Sequence, residues 1–129
     1  MGKATVLVVD DEFHIVDLLA EILEDEGYTV LRAYDGLSAL ALAEGAAVDL
    51  VIADVMMPRL DGISLAYRLR ERDEGTRIVL MSAAVARVPP EFGFIAKPFD
   101  INDLLDKLAE ARADAPSDDP PRPDTVGSR

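Results

Sequence analysis

Hydrophobic and polar positions repeat along this chain with two different periods. Residues 5–9, TVLVV, are an unbroken β-branched apolar run, the pattern of a strand covered on both faces. From Glu12 to Glu26 the apolar positions Ile15, Leu18, Leu19, Ile22 and Leu23 recur at steps of three and four, which predicts an amphipathic helix. Gly27 stands where a helix-ending glycine belongs. Thr29 to Ala33 reads as a second strand, and Leu37 to Ala43 as a short helix with Leu37, Leu40 and Ala41 on one side. VDLVIA, from Val48 to Ala53, predicts a third strand. After the loop MMPRLDG, Asp61 is placed to cap a helix running to about Arg72, with Ile63, Ala66 and Leu69 as its buried stripe. Ile78 to Met81 and Phe92 to Ala96 predict two more strands, and about Asp100 to Arg112 a last helix with Leu104, Leu105 and Leu108 inward.

Strands alternating with helices predict a parallel sheet joined by right-handed crossovers, with helices on both faces. The pattern fits one domain over residues 1–113. Residues 114–129, DAPSDDPPRPDTVGSR, carry four prolines, four aspartates and a single valine, and are expected to be a disordered tail. With 129 residues, half of them hydrophobic and 29% charged, the chain has the composition of a soluble single domain. The net charge of −12 and the lack of a basic patch argue against nucleic acid or an anionic membrane as partner. The absence of cysteine removes disulfides and thiolate chemistry and suits a cytoplasmic protein. No apolar run is long enough for a signal peptide core or a membrane span.

In parallel α/β sheets ligands bind beyond the carboxyl ends of the strands. Here the first strand ends in Asp10 and Asp11, the third in Asp54, the fourth in Ser82 and the fifth in Lys97. Taken singly, each has an ordinary reading: a helix cap, a turn residue, a surface lysine. Together they would bring three carboxylates to one edge, where a hard divalent cation relieves their repulsion. Mg²⁺ suits a site with few protein ligands plus phosphate and water. A lysine and a hydroxyl beside it could hold phosphoryl oxygens.

The stretches LVVDDE, DVMMPRLDG, MSAA and AKPF, in this order, resemble those of bacterial response-regulator receiver domains over about residues 4–112. The resemblance implies a flavodoxin-like, doubly wound sheet of five parallel strands in the order 2-1-3-4-5. It implies that Asp54 accepts a phosphoryl group in a Mg²⁺-dependent reaction. Asp11 and Asp54 would ligate the metal directly, Asp10 through water, and Met56 through its backbone carbonyl. Lys97 would contact the phosphoryl group and Ser82 would swing toward it, while Pro98 would follow a cis peptide bond. Phe94, three residues before Lys97, resembles the family's switch aromatic, and equally reads as a core residue of the fifth strand. The implied donor is a histidine kinase or a histidine phosphotransfer protein, and the implied role that of a signalling switch, catalysing only its own phosphorylation and dephosphorylation. His14, the single histidine, is expected at the surface.

Two features depart from the family. Between Ser82 and Phe94 stands only AAVARVPPEFG, and its paired Pro89 and Pro90 are poor helix interior, so the fourth helix is expected to be reduced or absent. Nothing after the last helix resembles an output module, which suggests a stand-alone regulator acting on an unidentified downstream protein or passing phosphate onward. Two rivals remain. One is a degenerate receiver-like binding module that is never phosphorylated. The other is an aspartate-nucleophile phosphohydrolase, disfavoured because the position two residues after Asp54 is Met56 and not a second aspartate.

Overall fold

In the computed structural model of the protein, residues 4–84 and 88–114 are described, the side chains of residues 111–114 excepted. The elements are β1 (Thr5–Val9), α1 (Phe13–Asp25), β2 (Thr29–Ala33), α2 (Gly36–Glu44), β3 (Leu50–Asp54), α3 (Gly62–Arg72), β4 (Arg77–Ser82), β5 (Gly93–Ala96) and α4 (Ile101–Asp114). The five strands form one parallel sheet in the order β2-β1-β3-β4-β5. The inner strands are apolar apart from residues at their ends, because both faces are covered. On one face Leu7, Val9, Val51, Ala53, Ile78 and Leu80 meet α2 and α3 through Ala39, Leu65, Ala66 and Leu69. On the other, Val6, Val8, Ile52, Val79 and Met81 meet α1 and α4 through Val16, Leu19, Leu23, Leu104 and Leu108.

Local signals set the boundaries. Asp35 and Asp61 accept the backbone N–H groups of Ser38 and Ser64 at 2.7 and 2.8 Å and start α2 and α3. Gly27, at φ 98°, provides the left-handed turn that leads from α1 into β2. The expected buried stripes are shifted in two helices. In α1, Val16 and Ala20 are buried while Leu18 is 53% exposed. Val16 packs toward the sheet, while Ile15 and Leu18 line an open groove with Pro98 and Phe99 of the segment after β5. In α2 the buried positions are Gly36 and Ala39 and Leu40 packs partly buried against the core, while Leu37 and Ala41 face outward; at Gly36 the helix lies too close to Leu60 for any side chain.

The fourth-helix expectation holds: among the described residues between β4 and β5 none is helical. Parallel β4 and β5 still require the chain to cross one face of the sheet. The described residues there form a loop, and Phe92 takes over part of the covering. Its ring is buried, meets Tyr67 of α3 edge-on at 5.0 Å, and has the Arg70 guanidinium 5.0 Å above it. Glu91 accepts the Tyr67 hydroxyl at 2.8 Å, which ties the loop to α3. The proline-rich stretch from Ala115 onward lies outside the described residues.

Candidate functional site

The register of the strands brings their carboxyl ends level. Val9 pairs with Ala53, Asp54 with Met81 and Ser82 with Ala96, so Asp10, Asp54, Ser82 and Lys97 emerge along a single edge. Asp10 is fully buried and Asp54 nearly so, while Asp11 is exposed. Lys97 reaches across this edge, its Nζ 3.0 Å from Asp10 Oδ2 and 3.3 Å from Asp54 Oδ1. The other oxygen of Asp10 accepts the Glu12 N–H at 3.0 Å. One ammonium therefore serves two buried carboxylates, with a third acid beside them.

The electrostatics register that imbalance. Burial foremost, and then the charge of Asp10, push the Asp54 pKa above the ordinary carboxylate value; Lys97 and the Met56 N–H oppose this without cancelling it. Burial acts to lower the Lys97 pKa, but the hydrogen bond and charge of Asp10, joined by Asp54, outweigh it and the ammonium is held above its usual range. A carboxylate oxygen from each of Asp10, Asp11 and Asp54 lies within 4.8 Å of those of the other two. An all-oxygen set with excess negative charge, one member open to solvent, fits a hard divalent cation.

Ser82 is buried at the end of β4, but its hydroxyl is engaged locally, accepting the Ala84 N–H at 2.9 Å and donating to Ala84 O at 3.3 Å. The Met56 side chain is 74% exposed. Phe94 is half-buried on β5, and the Lys97–Pro98 peptide bond is cis. His14 is exposed on α1, its ring edge-on to Phe13.

Two contributors escaped the reading of the sequence. Gly62 opens α3 against the backbone of Asp54 so closely that an added Cβ would lie 2.9 Å from Val55 Cα and in hard contact with the Asp54 carbonyl. The Asp-Gly pair in DVMMPRLDG read as a cap followed by a helix start, and nothing in one dimension showed what the glycine faces. The other is the backbone N–H of Glu12, which holds Asp10.

Residues 6–109 match the family model of the response regulator receiver domain. The chain belongs to this family. Among its relatives, the sporulation initiation phosphotransferase F of Bacillus subtilis is 36% identical over 115 residues, covering 84% of this chain and 93% of that protein. Others are longer: this chain spans 12% of a sensor kinase from Brucella abortus and 49% of a transcriptional regulator from Mycobacterium tuberculosis. Among solved structures, the chemotaxis protein CheY4 of Vibrio cholerae superposes with a TM-score of 0.76 at 32% identity, covering 84% of this chain and 98% of that one. The response regulator TrrA of Thermotoga maritima, solved in complex with Mg²⁺ and a beryllium fluoride, gives 0.77 at 31%, covering 84% and 99%. Receiver domains are phosphorylation-dependent switches of two-component systems and not conventional enzymes, and the acidic cluster of this receiver domain is of the kind they use to bind Mg²⁺. Among the described residues, no helix is long and apolar enough to cross a membrane.

Proposed function

We propose that this receiver domain takes a phosphoryl group onto Asp54 from a phosphohistidine of a kinase or phosphotransfer protein, and signals by the conformational change that follows. The observation that carries the reading is the Lys97 ammonium held between Asp10 and Asp54 next to an acidic set suited to a cation. Asp10, Asp11, Asp54 and the backbone carbonyl of Met56 would hold Mg²⁺, Asp10 through water. The bound cation would neutralise charge on the transferring oxygens.

The residues of the chain then divide the work. An oxygen of Asp54 forms the new O–P bond while the P–N bond to the donor imidazole breaks, the electron pair leaving with the imidazole. Lys97, already among the carboxylates, pairs with a phosphoryl oxygen as a compact positive charge. The Ser82 hydroxyl exchanges its bond to Ala84 for one to the phosphoryl group, which couples Asp54 to the β4–β5 loop. Hydrolysis of the acyl phosphate returns the carboxylate and resets the switch.

The donor has a surface to meet. A groove of about 390 Å³ beside the site is walled by Ile15, Leu18, Phe99 and Ile101, with Lys97 at its margin. An apolar helix face bearing the phosphohistidine would rest there with its phosphoryl group at the acidic edge. That the protein acts in the cytoplasm and on a protein instead of DNA belongs to the same proposal. Its support is the net charge of −12 and the near-complete span of the Bacillus relative.

The test is intact mass after incubation with acetyl phosphate, with and without Mg²⁺. One added phosphoryl group is expected in wild type with Mg²⁺, and none in its absence or in Asp54→Asn. If neither that adduct nor binding of beryllium fluoride is seen, the protein is a receiver-like binding module and not a switch.

A further inference from the structure

The loop from Val55 to Asp61 connects the proposed acceptor to α3, and it is fastened at both ends. Val55 N–H donates to Met81 O at 2.9 Å, and Gly62 N–H returns to Val55 O at 2.9 Å. Its apolar side chains Val55, Met57 and Leu60 are buried in the core under α2 and α3, which leaves Met56 as the exposed residue among them. What supports its middle is the start of α2. A Cβ added at Gly36 would stand 2.6 Å from the carbonyl oxygen of Leu60 and 2.9 Å from Leu60 Cβ, inside any real carbon contact. Gly36 does not have the positive φ of Gly27, so the requirement for glycine there is proximity and not backbone conformation. One residue earlier, Asp35 lies 3.6 Å from the guanidinium of Arg59, which sits at φ 68° in the same loop.

We propose that Gly36 is a positioning residue for cation binding: by letting α2 begin directly against the Leu60 backbone, it sets the position of the 55–61 loop, and with it the Met56 backbone beside Asp54. The inference rests on the Mg²⁺-dependent reading above. Gly36 is no part of the acidic set and acts through the loop alone. The clash introduced by a methyl group falls on a backbone oxygen, which cannot rotate away as a side chain end could, so helix and loop must separate. A cation held partly by a main-chain carbonyl feels such a displacement directly. Loss of outer supports of this kind typically weakens metal sites about ten-fold or more.

Mg²⁺ titration by calorimetry, with thermal midpoints recorded in parallel, tests this on the full chain. The variants are Gly36→Ala, Leu60→Ala and, as control, Gly45→Ala. Gly45 closes the same helix, where an added Cβ would meet only Leu42 O at 3.9 Å, an ordinary contact. Gly36→Ala is expected to bind Mg²⁺ about ten-fold more weakly, and Gly45→Ala like wild type. With acetyl phosphate, the Mg²⁺ concentration for half-maximal rate should rise in Gly36→Ala while the rate at saturating Mg²⁺ stays near wild type. A folded Gly36→Ala with wild-type Mg²⁺ affinity overturns the assignment, whatever its thermal midpoint. Should that variant not fold, Leu60→Ala loosens the same packing from the loop side by removing Cδ2, which lies 3.1 Å from the Cβ position at Gly36: weakened Mg²⁺ binding supports the role and unchanged binding refutes it. If wild type itself binds no Mg²⁺, the phosphorylation reading falls too, whereas binding by wild type with no effect of these variants removes only the role of Gly36.

Discussion

At the scale of single residues, Asp54 is where function opposes stability. Its carboxyl is buried next to Asp10, and its folded pKa is raised above the unfolded value of 3.8. A raised folded pKa means that the folded state holds the proton more tightly. The stability this confers is complete below the unfolded pKa and is lost as pH rises through the folded one. Near neutrality the folded protein therefore carries a carboxylate it holds poorly, and Asp54→Asn should be more stable than wild type when divalent cations are absent. A gain of about 1 kcal/mol would raise the midpoint of a domain this size by about 4 °C. The gain should shrink as the pH of thermal denaturation is lowered toward 4. A variant no more stable than wild type at pH 7 would show that the Lys97 contact at 3.3 Å outweighs burial after all.

Two elements carry predictions of their own. The crossover from β4 to β5 does without a helix among its described residues, and Phe92 covers the sheet there while Phe94 stays half-buried. Phe92→Ala should cost about 3–5 kcal/mol in urea denaturation, as for a buried aromatic, and Phe94→Ala distinctly less. Equal costs would mean that Phe94 is a core residue of the same rank. On α1, Leu18 is 53% exposed at the groove beside Lys97. Leu18→Asp should leave phosphorylation by acetyl phosphate intact and slow transfer from a phosphorylated histidine donor by about ten-fold or more, since a charge in an apolar contact costs 1.4 kcal/mol or more. Slowing of both reactions alike would place the effect in the site and not in docking.

At the scale of the whole molecule, a protein of net charge −12 that gathers three acids at one sheet edge is expected to be stabilised by Mg²⁺. Specific binding raises stability by about 2.7 kcal/mol at a hundred times the dissociation constant. General screening of a highly charged chain also stabilises it, so the comparison is made against NaCl at equal ionic strength. A midpoint shift in Mg²⁺ no larger than in NaCl would mean that the acidic edge holds no specific cation.

The strands, the order of elements and the strand-end residues Asp10, Asp11, Asp54, Ser82 and Lys97 were legible in the sequence. The reason is that each follows from a local signal: an apolar run, a periodic stripe, a cap, or a polar residue just after a strand. The want of a helix among the described residues between β4 and β5 was legible for the same reason, because consecutive prolines are poor helix interior wherever the chain happens to lie. Other features depend on what comes near in space, and spacing along the chain does not encode that. The helical period placed Leu18 with the core, but it is the position of α1 against the segment after β5 that leaves it exposed. Sequence put Ser82 at the correct edge, whereas only the fold turned its hydroxyl toward Ala84. Nothing in the order of residues marks what Gly36 and Gly62 face: the backbone of Leu60 meets the first, and that of Asp54 and Val55 the second. Residue type determined which chemistry could be assembled here; tertiary contact decided which groups are paired, which are buried and what holds the site in place.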